Sequence, residues 1–97
     1  MTNSVYRRAV ALMEADIGDE IVALDPDAGN CFGFNEVATS VWRSLEQPKT
    51  FDQLRDELIE EYEVGGDQCT RELQGLLDDL LARRLIEESA EKGNNLR

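Results

Sequence analysis

The 97-residue chain contains no histidine and is poor in basic residues: 10 Lys and Arg stand against 21 Asp and Glu, which gives a formal charge of −11 at pH 7. Histidine is the commonest general base and the usual partner of a Ser or Cys nucleophile, so its absence argues against an enzyme. Nucleic acids and anionic membranes attract basic surfaces, which this chain lacks. We therefore expect a non-catalytic protein with no nucleic-acid or membrane partner.

Cysteine and long apolar runs are also scarce. Cys31 and Cys69 are far apart, without CxxC spacing or histidines to complete a zinc site, and we expect free thiols in a reducing cytoplasm. No apolar run approaches the roughly 20 residues that span a bilayer or the core of a signal peptide. The sequence predicts a soluble cytoplasmic protein that holds no metal and no cofactor.

The first part of the chain shows the two-residue period of strands. Residues 10–13, 20–24 and 31–34 are apolar segments separated by turns at 16–19 and 25–30, which are rich in Asp, Gly and Pro. Three short antiparallel strands in a meander are the simplest arrangement. In the third strand Phe32 and Phe34 share one face, which leaves the small residues Cys31 and Gly33 on the other.

After residue 35 the apolar period changes to that of helices. Asn35 is a candidate N-cap for a first helix, and Thr50 with Gln53 forms a capping box for a second. Asp67 is the expected cap of a third, leucine-rich helix. The prediction is an α+β domain over residues 8–88, with a three-stranded antiparallel sheet followed by three helices, like a winged helix-turn-helix with its sheet first. We expect flexible segments at 1–7 and 89–97.

Residues 20–42 carry a more specific signature, in which an Asp25-Pro26 turn precedes Asn35-Glu36 at a helix start and Trp42 follows. With the helix at 50–62 and the segment 77–87, this resembles the PqqD family over roughly residues 8–88. Two positions depart from the family pattern. Phe34 replaces a common Leu, and Arg84 stands where Gly is often found, which leaves the conformation of the final turn open.

The resemblance implies a recognition element of a pathway that makes ribosomally synthesised, post-translationally modified peptides. Members of the family are not catalysts; they bind the leader of a precursor peptide as an added strand and deliver it to a modifying enzyme. This chain is similar to stand-alone members of lasso-peptide clusters, whose partner is a transglutaminase-like cysteine peptidase. The alternative within the family is a peptide chaperone for pyrroloquinoline quinone or another radical-enzyme pathway.

The resemblance places the leader between the edge of the third strand and the third helix. An unpaired strand edge offers main-chain hydrogen bonds for such β-augmentation. On the helix, a 100° step puts Leu77 and Leu81 on one flank and Leu76 and Arg83 on the other, and the sequence does not decide which flank lines the groove. The arginines either pair with acidic leader side chains or complement the helix dipole. The candidate residues are Asn30, Cys31, Phe32, Gly33, Phe34, Leu76, Leu77, Leu80, Leu81, Arg83 and Arg84.

Two alternatives of other classes remain open. A winged-helix transcriptional regulator has comparable elements, but its recognition helix would carry Glu72, Asp78 and Asp79. A small redox protein or enzyme would use Cys31, without a nearby second cysteine. The acidic helix faces are either a docking surface for a basic partner or simply solvated. The exposed strand edge allows either a monomer or an edge-mediated dimer.

Overall fold

The computed structural model describes residues 3–91, with side chains for residues 4–89. Within residues 3–91, six strands and three helices follow one another. They are β1 (Asn3–Arg8), β2 (Met13–Ile17), β3 (Glu20–Asp25), β4 (Asn30–Phe34), α1 (Glu36–Ser44), β5 (Lys49–Thr50), α2 (Phe51–Tyr62), α3 (Gly66–Ala82) and β6 (Ile86–Glu91). None of the helices within residues 3–91 is long and apolar enough to cross a membrane.

Strands β2, β3 and β4 form the predicted antiparallel meander. Gly18 begins the two-residue turn between β2 and β3 with a φ of 65°, a conformation that glycine adopts without steric cost. The longer turn before β4 is held by the Asp25 carboxylate, which accepts the N–H groups of Asp27 and Ala28 at 3.0 and 3.2 Å. These local hydrogen bonds set the register that brings Phe34 opposite Ile21.

Two of the three predicted helix N-caps are confirmed, and the third is not. Asn35 accepts the Ala38 N–H at 2.9 Å, and the Thr50–Gln53 capping box is complete. The third cap prediction is wrong, because α3 begins at Gly66 with Gly65 as its N-cap and no side-chain cap hydrogen bond. Asp67 lies instead in the first turn of α3, where its negative charge still complements the helix dipole.

The core lies between the helices and the inner face of the β2–β3–β4 sheet. Trp42 is at its centre with 0% exposure, and its ring lies 5.7 Å from that of Phe34. The apolar stripes of all three helices point into this core, as their periodicity predicts. Its buried members are Tyr6, Ile21, Phe34, Ala38, Val41, Trp42, Leu45, Leu54, Leu58, Cys69, Leu73, Leu77, Leu80, Leu85 and Ile86.

A second sheet, with strand order β5–β1–β6, was not predicted. It corrects the expected flexible segments, because residues 3–7 lie in β1 and residues 89–91 lie in β6. Residues 1–2 and 92–97 of those segments lie outside the described residues. The first predicted strand is also displaced, since residues 10–12 are irregular and β2 begins at Met13. The polar sequence of β6 has no two-residue apolar period, and only its long-range pairing with β1 reveals it.

Arg8 connects this second sheet to the helical core. Its guanidinium lies 4.4 Å from the centre of the Trp42 ring and donates to the Trp42 carbonyl, with 3.2 Å from Nε. The indole Nε1 of Trp42 donates in turn to Glu14 of β2 at 2.7 Å. This chain of contacts joins β1, α1 and β2, so the two sheets are held on the same helix.

Candidate functional site

Strand β4 is an edge of its sheet, and its free side faces α3. A cavity of about 290 Å³ lies between the two elements. Its walls come from β4, the start of α1 and the second half of α3. The lining residues are Cys31, Phe32, Gly33, Phe34, Asn35, Ala38, Leu76, Asp79, Leu80 and Arg83. The strand and the helix that the sequence singled out therefore form the two walls of one groove.

The hydroxyl of Thr39 shows which backbone groups of β4 face this groove. It accepts the N–H of Ile21 and donates to the carbonyl of Phe34, both at 3.2 Å, so it bridges a pair whose backbone groups point at each other. Along an antiparallel ladder such hydrogen-bonded pairs alternate with non-bonded ones. In the non-bonded pairs, the backbone N–H and C=O groups of the β4 residue point away from β3. By this alternation the N–H and C=O of Cys31 and Gly33 point outward, toward the groove.

The β2–β3 hairpin leads independently to the same assignment of which backbone groups point toward each neighbouring strand. Ile17 and Glu20 flank its two-residue turn, and the residues that flank such a turn form a hydrogen-bonded pair. Glu20, Val22 and Leu24 therefore bond toward β2, which leaves the alternate residues of β3 to bond toward β4.

The opposite edge of the sheet, β2, is protected in a way that β4 is not. Its Glu14 and Asp16 lie on the face turned toward α1, where Glu14 binds the Trp42 indole and Asp16 binds Arg43 at 2.6 Å. Charged side chains that point inward are a common device against pairing at an edge strand. The corresponding face of β4 carries Phe32 and Phe34, so β4 is the edge that remains suited to pairing.

On α3 the structure decides between the two flanks. Leu77 is 0% exposed and belongs to the core, while Leu76 is half-buried and lines the groove. Leu80, at the centre of the apolar arc, contributes to both. Leu77, one of the candidate residues from the sequence, therefore packs the core and does not line the groove.

The structure brings together seven of the eleven candidate residues. Leu77 is excluded by burial, and Asn30, Leu81 and Arg84 do not line the cavity. Asn30 lies at the turn end of β4, and Leu81 packs against the core on the far flank of α3. Arg84 comes after the helix, with a φ of 61°.

Three lining residues were missed by the sequence analysis: Asn35, Ala38 and Asp79. Asp79 was detectable, because it lies three residues after Leu76 and four before Arg83 and hence on the same helical face. The sequence indicates Asn35 only as an N-cap, and no motif in it points to Ala38. Their place in the groove depends on the angle at which α1 leaves β4.

The charged groups of the groove pair with each other. Arg83 Nε donates to Asp79 Oδ2 at 3.0 Å, and the two side chains are 52% and 55% exposed. An ion pair that is this accessible to water contributes little to stability. Its partners can therefore exchange for a ligand at small cost, so the groove offers a guanidinium and a carboxylate at adjacent positions.

A second, apolar cavity of about 230 Å³ lies along the same side of α3, nearer its beginning. Its walls come from α1, α2, the loop after α2, and α3. The lining residues are Val37, Leu58, Tyr62, Val64, Cys69, Glu72 and Leu73. Burial raises the pKa of the Cys69 thiol, which donates to the Arg55 carbonyl over 3.8 Å. This cysteine is consequently a packing residue and a poor nucleophile.

Both cysteines are free thiols, as predicted, with Cys31 exposed and Cys69 buried. Within residues 3–91, no three His, Cys, Asp or Glu side chains lie close enough together to hold a metal ion. The groove therefore offers hydrogen-bonding backbone, apolar side chains and one ion pair.

Comparison with known proteins gives two matches. The family model for PqqD, the coenzyme PQQ synthesis protein D, matches residues 20–86. A solved structure of TbiB1 in complex with the TbiA(beta) leader peptide is similar to this chain, with a TM-score of 0.73 and 31% sequence identity. The similarity covers 84% of this chain and 94% of that one. No curated protein matches the sequence.

Proposed function

The chain belongs to the PqqD family, and on that premise we propose that it is a non-catalytic protein that binds the leader of a ribosomally synthesised precursor peptide. The leader adds as a strand to β4 and lies in the groove against α3. In this position it is presented to the enzyme that modifies the precursor. The similar TbiB1 structure contains a leader peptide, which supports a ligand of this chemical class.

The observation that carries the proposal is the free edge of β4 beside an open groove. Cys31 and Gly33 turn their N–H and C=O groups toward that groove. The backbone of an added strand forms its hydrogen bonds with such outward groups. On the opposite wall the half-buried Leu76 provides apolar surface for a side chain of the peptide, and the buried Leu80 lines the cavity beside it. Affinity then comes from the main chain, and specificity comes from the pockets on α3.

The side chains that line the groove indicate which leaders fit. Arg83 favours an acidic leader residue, whose carboxylate would replace that of Asp79. The apolar cavity beside Leu73 has room for one large apolar side chain of the peptide. We therefore expect a leader that combines an apolar anchor with an acidic residue.

For the pathway, we propose lasso-peptide biosynthesis with a transglutaminase-like cysteine peptidase as the partner enzyme. The family resemblance of the Asp25-Pro26 turn and the Asn35-Glu36 helix start supports this choice. The competing assignment is a peptide chaperone for pyrroloquinoline quinone or another radical-enzyme pathway, which uses the same edge strand with a different precursor.

The experiment is fluorescence anisotropy with a labelled synthetic leader taken from the precursor encoded beside this gene, with a scrambled leader as control. Gly33→Pro removes an outward N–H while leaving the ladder to β3 intact, because proline is tolerated at such an edge position. We expect Gly33→Pro to weaken leader binding by at least about tenfold.

Gly33→Ala is the matched control. A Cβ at this position meets nothing within 4 Å, and the N–H is retained. Its leader affinity should stay within about threefold of that of the wild type. Unchanged affinity in Gly33→Pro would overturn strand addition at β4. Salt-sensitive binding of duplex DNA without leader binding would instead identify a winged-helix regulator.

A further inference from the structure

The outer face of the β2–β3–β4 sheet is apolar and uncovered by any residue the structure describes. The register places Met13, Leu24 and Cys31 in one cross-strand row, with Ala15, Val22 and Gly33 in the next. Ile17 extends the apolar surface at the far end of β2. We call Met13, Ala15, Ile17, Val22 and Leu24 the outer patch.

The outer patch collects the large apolar side chains that water reaches. Within the described residues, the most exposed large apolar side chains are Met13 at 62%, Ile17 at 63% and Leu24 at 39%, and all three belong to this patch. Scattered exposed apolar residues are ordinary, whereas a contiguous group marks an interaction surface. The opposite face of the same sheet already covers the core, so the outer patch does not serve the packing of this domain.

The rim of the outer patch is acidic. Asp19 and Glu20 lie at its Ile17 end, and Asp27 lies in the turn beyond Leu24. None of these carboxylates forms an ion pair with residues that the structure describes, although six other acidic side chains do. An apolar centre with a rim of free carboxylates is complementary to an apolar surface ringed by Lys or Arg.

A second copy of this chain does not meet that requirement. Each copy carries a formal charge of −11, and a symmetric contact through the outer patch would bring two acidic rims together. The rim therefore favours a different protein, one with a basic border around its apolar contact surface.

We propose that the outer patch is the docking surface for the modifying enzyme, through an apolar area of that enzyme bordered by basic side chains. This inference rests on the proposed function. A leader added to β4 becomes the fourth strand of the same sheet, and every second side chain of the leader then extends the face that carries Cys31 and Gly33. The enzyme consequently contacts the outer patch and the bound leader together.

This geometry couples the two binding events. Because the leader completes part of the surface that the enzyme contacts, the enzyme binds the loaded protein more tightly than the empty one. By thermodynamic linkage, it strengthens leader binding by the same factor.

The test uses the full chain, the labelled leader and the purified modifying enzyme encoded beside this gene. Met13→Ser/Ile17→Ser removes exposed apolar surface at little cost to stability. We expect this double variant to bind the enzyme at least about tenfold more weakly and the leader within about threefold of the wild type. Saturating leader should tighten the binding of wild-type chain to the enzyme by about fivefold or more.

The rim is tested by a charge-matched pair of variants. Asp19→Asn/Glu20→Gln should weaken enzyme binding and reduce its salt dependence, whereas Glu46→Gln/Glu60→Gln, with the same net charge, should leave both unchanged. The proposal is overturned if Met13→Ser/Ile17→Ser binds the enzyme like the wild type. It is also overturned if the leader-binding wild type shows no enzyme binding, or if sedimentation shows a dimer that the double variant loses. A wild type that binds no leader would contradict the proposed function itself.

Discussion

At the scale of single residues, Arg84 lies where the chain leaves α3. Its φ of 61° is a backbone conformation that favours glycine. The turn around it is a Schellman motif: the Arg84 N–H donates to the Leu81 carbonyl and the Leu85 N–H to the Leu80 carbonyl, both at 3.0 Å. Leu80 and Leu85 are buried on either side of the turn. The hydrogen bonds and the burial of these two leucines hold an arginine in a conformation that costs it roughly 1 kcal/mol.

Replacing Arg84 with glycine should therefore stabilise the domain. We expect Arg84→Gly to raise the free energy of unfolding by about 0.5 to 1 kcal/mol, measured by urea denaturation with Trp42 fluorescence. Arg83→Gly is the matched control, because Arg83 has a φ of −85° and gains nothing from glycine. A loss of stability in Arg84→Gly would show that its side chain contributes more than its backbone conformation costs.

The pKa of Tyr6 makes the stability of the domain depend on pH in the alkaline range. Burial, and then the nearby carboxylate of Glu88, raise the pKa of Tyr6 from 10.0 to about 12. Between these values the unfolded chain loses the phenolic proton while the folded domain keeps it, so stability present below pH 10 falls as the pH rises through 12.

The corresponding variant is Tyr6→Phe, which removes the titrating group. Between pH 9 and pH 12, the free energy of unfolding of the wild type should fall relative to that of Tyr6→Phe by on the order of 2 kcal/mol. Chemical denaturation at a series of pH values measures this shift. Parallel pH profiles for the two proteins would contradict the role of Tyr6.

At the scale of elements, the orientation of α3 separates residues that pack the domain from residues that face the groove. Leu76 and Leu77 are adjacent in sequence, yet a 100° step turns one to the groove and the other into the core. The strand edge across the groove fixes which side is which, because β4 approaches the Leu76 flank.

A pair of glutamate variants tests this orientation. Leu77→Glu buries an unpaired carboxylate and should unfold the domain at 25 °C, as seen by circular dichroism. Leu76→Glu should keep the wild-type spectrum and weaken leader binding by at least about tenfold. If Leu76→Glu unfolds while Leu77→Glu stays folded, the orientation of α3 is wrong.

At the scale of the whole molecule, the unpredicted second sheet joins the two ends of the described chain. β1 pairs with β6 over its full length, and the contact between Arg8 and the Trp42 ring connects this sheet to the core. Tyr6, with 4% exposure, belongs to the single core. The N-terminal strand is therefore part of the domain.

Deleting residues 1–8 should lower the melting temperature by more than about 10 °C, since the truncated chain loses a buried tyrosine, the Arg8 contacts and the partner of β6. The exposed edge of β6 should also promote aggregation. Calorimetry measures the first effect and light scattering the second. Arg7→Ala, on the exposed face of β1, serves as control, and an unchanged melting temperature after the deletion would show that β1 is dispensable.

The sequence by itself determined the family, the β2–β3–β4 meander, the three helices and most of the core, because these depend on local periods, turn residues and caps. Asn35, Thr50 and Trp42 are examples, since each has a role that its near neighbours in the chain specify. Only the tertiary structure decided that β1 and β6 pair, that Leu76 and not Leu77 lines the groove, and that Asn35 and Ala38 line it as well. These features depend on residues distant in sequence and on the angle between packed elements, which no local pattern encodes.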